Sequence, residues 1–198
     1  SVWADTKSGN GNLMLVEGPD GIGKSALIQE FLARISTLGP VLRLVGRERS
    51  GGTMVPYASI GEALRGVLNA PGLAGASQHL LAEAARLLPE LHDLFELPAL
   101  QSVEDEASQL RLFEGIAALI DAVAYEQPVC IVLEDFHSAS SRTAGLIEYL
   151  CVRLASVGVA IVTVFRAPPP GSPASSLFPF SLLEPSTANR PREYPIAV

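Results

Sequence analysis

Four apolar runs punctuate the chain, the first three each followed by a polar loop and then by apolar residues at helical spacing. "NLMLVE" (Asn12 to Glu17) reads as a buried strand, "GPDGIGKS" as a loop, and Leu27, Ile28, Phe31, Leu32 and Ile35 as one face of a helix. "LGP" at Leu38 to Pro40 stops that helix, because proline disfavours helix for the residue before it. "VLRLVG" is a second strand and "RERSGGTMV" a loop. From Tyr57 to about Asn69 the pattern is helical again, and Pro71 to Pro98 is a Leu/Ala-heavy, helix-rich stretch. "SVED" at Ser102 matches a capping box. The helix it opens carries Leu110, Phe113, Ile116, Ala117, Ile120 and Val123 on one face. After Pro128, "VCIVL" is a continuous apolar strand of the kind buried in a parallel sheet. "EDFHSAS" is the loop after it. Leu146, Ile147, Leu150, Cys151 and Leu154 mark a further helix, and "VAIVTVF" is a fourth strand closing on Arg166.

Strands alternating with helices predict an α/β fold with a parallel sheet flanked by helices. The expected organisation is a lead-in over residues 1–11, a core over 12–167 and a tail over 168–198. Eight of the fifteen prolines lie in residues 167–198, and "APPPGSPASS" cannot form a regular element. That segment reads as an exit linker, a loosely attached tail or the start of a truncated lid. The chain opens on "SVWADT" without an initiator Met, as an excised piece or a processed product would.

Composition narrows the function. With 198 residues, 48% of them hydrophobic, a packed domain is expected. A net charge of −7 and no lysine-rich block argue against direct nucleic-acid binding by this segment, since that grip needs cations to displace condensed counterions. Cys130 and Cys151 lie in apolar surroundings without metal-ligand spacing and read as reduced core thiols, which fits a cytoplasmic protein. No apolar run is long enough for a bilayer, and no membrane association is expected.

Gly18, Gly23, Lys24 and Ser25 fit the phosphate-loop pattern G-x-x-x-x-G-K-[ST], placed between a strand and a helix. A loop that wraps a phosphate turns backbone N–H groups inward, in conformations glycine adopts cheaply. The helix start adds its positive dipole end, Lys24 a flexible cation, and the Ser25 hydroxyl a hard oxygen ligand for Mg²⁺. The candidate nucleotide-binding residues are Gly18, Pro19, Asp20, Gly21, Ile22, Gly23, Lys24, Ser25 and Ala26. The loop alone does not separate an ATPase from a GTPase or a small-molecule kinase.

Such a site needs an acid at the end of a neighbouring strand. Glu134 and Asp135 stand where "CIVL" stops. Glu134 is assigned to the metal side with Ser25, and Asp135 to orienting water. Arg166 ends the next strand, at the carboxyl edge of a parallel sheet where ligands bind, and could read a γ-phosphate. Arg47 closes the second strand similarly, with a weaker claim. His137 reads as a loop residue with a structural hydrogen bond.

"GPDGIGKSALIQEFLARI", "VPYASIGEALRGVL", "LRLFEGIAALIDAVAYEQPVCIVLEDFHSAS" and "LIEYLCVRLASVGVAIVTVFRAP", in that order, resemble the ATPase module of the STAND class, and more closely the AAA-type module of large LuxR-type regulators and related signalling proteins. The resemblance covers about Leu13 to Ala167. It implies a P-loop NTPase fold with 5-1-4-3-2 strand order, ATP and Mg²⁺ bound through Gly18, Lys24 and Ser25, Glu134 and Asp135 as Walker B acids, and Arg166 as the first sensor. It also implies a slow ATP switch controlling self-association and attached effector domains or protein partners. Ser138 and Ser140 stand where that family has Trp and Asp, and "SVWADTKSGNG" lacks its Gly-Arg-Glu segment. The adenine side and the lid with its winged-helix region are therefore expected to be missing or supplied by another chain. Two other functions compete. A small-molecule kinase would need lid arginines, and Pro71 to Pro98 holds only Arg86. A non-catalytic remnant would act by protein contact. A GTPase is disfavoured by the absence of Asn-Lys-x-Asp and of Asp-x-x-Gly after the acidic strand.

Overall fold

A computed structural model describes residues 2–49, 55–100, 106–166 and 192–193. The four apolar runs form β1 (Asn12–Gly18), β2 (Leu42–Arg47), β3 (Val129–Glu134) and β4 (Val159–Arg166). A two-residue strand, β5 (Arg192–Glu193), lies within the proline-rich segment and pairs with Met14 and Leu15 of β1. All pairs are parallel and the order is β2-β3-β4-β1-β5, the expected 5-1-4-3-2 order read from the opposite edge. β3 and β4 are buried along nearly their whole length. That explains their unbroken apolar sequences: a strand covered on both faces has no polar side to alternate with.

Helices cover both faces. On one, α1 (Val2–Lys7) and α2 (Lys24–Thr37) bring Trp3, Ile28 and Ile35 against Cys130, Val132, Ala160, Val162 and Val164. α1 falls in the expected lead-in, and its Lys7 Nζ donates to Leu38 O at the end of α2 (2.9 Å). On the other face lie α3 (Ala58–Leu64), α4 (Gln78–Ala84), α5 (Leu91–Leu94), α6 (Glu106–Glu126) and α7 (Ser141–Arg153). They share one core with Leu44, Ile131, Leu133, Ile161 and Phe165 of the sheet.

Several local expectations change. The helix from Tyr57 ends at Leu64 and tightens into a 3₁₀ turn at Arg65–Val67. The Leu/Ala-rich stretch divides into a 3₁₀ turn at Leu73–Gly75, α4 and α5, with the Ser77 hydroxyl accepting from the Leu80 N–H to cap α4 (3.3 Å). The capping box expected at Ser102 lies outside the described residues. Leu27 and Leu110, expected in the core, are 43% and 49% exposed. The core stripe of α6 runs through Leu112, Phe113, Ile116, Leu119, Ile120 and Val123, leaving Leu110 on its flank; in α2 it centres on Ile28 and Ile35.

β2 is an edge strand with one covered face. Leu44 and Gly46 point to α3, while Arg43, Val45 and Arg47 are exposed. α3 approaches so closely that a Cβ at Gly46 would lie 1.9 Å from the Ser59 carbonyl oxygen. Glycine here sets the seat of α3 on the strand that ends at Arg47.

Candidate functional site at the carboxyl edge

Because all strands run parallel, their carboxyl ends converge on one edge of the sheet. Gly18, the last residue of β1, is in register with Arg166, the last residue of β4. β4 in turn pairs with β3, whose end presents Glu134 and Asp135, and Arg47 of β2 is in register with Glu134. Topology alone therefore gathers the glycine loop, the two acids and both arginines.

The loop is built as its sequence predicts. Gly21 (φ 78°) and Gly23 (φ 98°) take left-handed conformations that would strain a larger residue. Gly23 is the N-cap of α2 and no side chain caps that helix, so its first-turn N–H groups keep their donors for an incoming anion. Lys24 Nζ folds back onto the loop, donating to Gly18 O (2.7 Å) and Pro19 O (2.9 Å). Ser25 is exposed beside it. At Asp20, Oδ2 lies 2.9 Å from Arg166 Nη1, an ion pair that spans from the loop to the end of β4.

The acidic end of β3 has a different cation. Arg47 donates through Nε (2.9 Å) and Nη2 to Glu134 Oε2, and its Nε lies 3.7 Å from Asp135 Oδ2. The Arg47 guanidinium pKa is pushed up, mainly by its hydrogen bond with Glu134. The Arg47 N–H donates to Glu62 Oε2 of α3 (3.2 Å). Asp135 takes φ 54°, unusual outside glycine but tolerated by Asp, and starts the 3₁₀ turn Phe136–Ser138. Phe136 is fully buried, edge-on to Phe165 at 5.8 Å, which anchors the turn under the acids.

His137 joins the phosphate side. Burial lowers its pKa most, Arg166 and Lys24 lower it further, and Asp135 and Asp20 act in the opposite sense. These five side chains therefore share one electrostatic neighbourhood. The loop hydrogen bond expected of His137 is absent at Nδ1, which is buried without a partner.

Sequence reasoning missed two features here. Arg47, weighed as a reader of phosphate, holds both acids instead. Glu48 is a buried carboxyl, 6% exposed, that accepts a hydrogen bond from the Ser59 hydroxyl; burial pushes its pKa up. The "GRER" sequence carries the residue types, but only the pairing of β2 with β3 puts Arg47 opposite Glu134.

The donor set fits a magnesium polyphosphate: free helix-terminal N–H groups and an ammonium for the anion, and the Ser25 hydroxyl and carboxylates as hard oxygen ligands for the metal. A parallel α/β sheet with a glycine loop, lysine and helix start at its carboxyl edge defines a P-loop nucleotide-binding protein. The model of the AAA ATPase domain family matches residues 1–163, and the chain belongs to that family.

A relative in Rhizobium meliloti (strain 1021), described as "Uncharacterized protein R02095", is 26% identical over 189 residues, covering 83% of this chain. This chain spans only 17% of that protein's length. A solved structure, the Walker-type ATPase PABY2304 of Pyrococcus abyssi, is similar at 14% identity and a TM-score of 0.42, over 82% of this chain and 43% of that one. Among the described residues, no helix is long and apolar enough to cross a membrane.

Proposed function

We propose that this chain is the ATP-binding core of a larger cytoplasmic regulator of signalling or transcription, a STAND-type module that hydrolyses ATP slowly and is switched by its nucleotide state. The observation that carries this reading is the convergence of the glycine loop, Lys24, the Glu134–Asp135 pair and Arg166 on one edge of the sheet. The core spans 12–167, with effector domains or protein partners outside it and nucleotide-dependent self-association as the output.

Each residue has a defined task in this reading. The N–H groups of the loop, from Gly18 to Ala26, enclose the phosphates, and Lys24 exchanges its two carbonyl acceptors for phosphate oxygens. Ser25 and Glu134 hold the Mg²⁺ shell, which when bound neutralises charge on the outer phosphates. Asp135 orients and accepts a proton from the attacking water. Arg166 reaches the terminal phosphate.

The test is binding of Mg-ATP, ADP and GTP by the parent and by Lys24→Ala, with phosphate release measured alongside. ATP and ADP should bind, Lys24→Ala should weaken binding by about tenfold or more, and turnover should stay well below the ~10 s⁻¹ enzyme median. Phosphate transfer to an added small molecule would favour a kinase. No binding at near-millimolar nucleotide would favour a remnant that acts by protein contact.

A further inference from the structure

We propose that Asp20 is a built-in competitor for the terminal phosphate, and that by occupying Arg166 it sets how strongly the site prefers a nucleoside triphosphate over the diphosphate. This rests on the reading above, in which Arg166 faces the terminal phosphate.

Asp20 is the one charged residue among the four variable positions of the loop, Pro19 to Ile22. Its carboxylate meets the Arg166 guanidinium at 2.9 Å, although the two side chains are 66% and 51% exposed. A pair this open is weakly held and easily rearranged, because both charges keep much of their hydration. Register fixes the Arg166 backbone beside Gly18, at the phosphate edge. Lys24, by contrast, rests on neutral carbonyl oxygens and is available to any phosphate that enters.

The two nucleotides therefore meet different obstacles. A diphosphate engages the loop amides and Lys24 and leaves Asp20 on Arg166. A triphosphate that takes Arg166 must first separate that pair. Replacing the carboxylate with an amide also relieves general charge repulsion, which is somewhat larger for the more highly charged triphosphate and persists without Arg166. The part proposed here is the additional selectivity that passes through Arg166.

A double-mutant cycle isolates it. With Mg²⁺ present, calorimetric titration of the full chain with ADP and with an ATP analogue blocked at the β–γ bridge gives the ratio of their dissociation constants. Asp20→Asn should raise the preference for the triphosphate by about two- to fivefold, the range of an exposed ion pair, and more at low salt, where screening is weaker. Arg166→Ala should lower the preference, and Asp20→Asn should change it by a clearly smaller factor in that background. An equal effect of Asp20→Asn on both nucleotides, or the same change of ratio without Arg166, overturns the proposal while leaving nucleotide binding intact. If Lys24→Ala binds like the parent, the phosphate site itself is misassigned and both readings fall; binding of neither nucleotide by the parent has the same consequence. Circular dichroism of each variant checks the fold.

Discussion

Gly46→Ala tests how the edge strand that ends at Arg47 is positioned. The added methyl would sit 1.9 Å from Ser59 O, 2.8 Å from Ser59 C and 3.3 Å from Ala63 Cβ. Two of these are backbone atoms, so no side chain can swing away, and α3 must retreat by roughly 1 Å. Overpacking of this kind costs about 1–3 kcal/mol. The retreat also pulls Ser59 from Glu48, and a buried carboxyl that loses its hydrogen bond adds about 1–3 kcal/mol. Together they remove about 2–6 kcal/mol from a total stability on the order of 5–15 kcal/mol. At about 2–4 °C per kcal/mol for a chain of this size, Tm falls by on the order of 10 °C. Gly145→Ala is the internal control. Gly145 lies inside α7, and a Cβ there meets nothing within 4 Å. That variant should gain about 0.5–1 kcal/mol from helix propensity. Urea unfolding followed by far-ultraviolet dichroism reads both. A Gly46→Ala protein as stable as the parent would refute the close seat of α3 on β2.

Three further outcomes follow from the structure. Arg47→Ala removes the cation that competes for Glu134; the Mg²⁺ concentration for half-maximal nucleotide binding should fall by up to about fivefold, with stability changed by less than about 1 kcal/mol. A rise in the Mg²⁺ requirement would count against Glu134 as the metal-side acid. Because the Glu48 pKa is raised in the fold, the native state holds more protons than the unfolded chain, so this carboxyl costs stability as pH rises above about 4.3. Glu48→Gln should therefore gain on the parent in paired unfolding curves as pH climbs, and a constant difference from pH 4 to 8 would exclude that. Burial pushes the Cys130 and Cys151 thiols up to about 12, so both should resist a thiol reagent at pH 8 in the native protein and react in denaturant.

Much of the fold was legible because its signals are local. Continuous apolar runs mark β3 and β4 as doubly covered strands, and glycine spacing marks the phosphate loop between a strand and a helix. The remainder depends on partners distant in sequence. α1 is six residues, half of them polar or charged, and is ordered by packing Trp3 into the core. β5 is two residues long and exists through β1. The Leu/Ala stretch offers no single stripe to read, since α4 and its neighbours are enclosed from several directions. At the site, residue types were visible but pairings were not. Arg47 meets Glu134 through strand register, and Asp20 meets Arg166 because β1 and β4 are neighbours.

That neighbourhood also constrains how the protein is made. β1 has no strand partner among the segments that follow it directly; Leu13 waits for Ile161, and its other neighbour is later still. At about 5–20 residues per second, a ribosome needs roughly 7–30 s to supply β4 after β1 has emerged. Throughout that interval the nascent chain carries an unsheltered apolar segment ahead of its glycine loop, and a message cut short before the codons of β4 would yield a product unable to close its sheet.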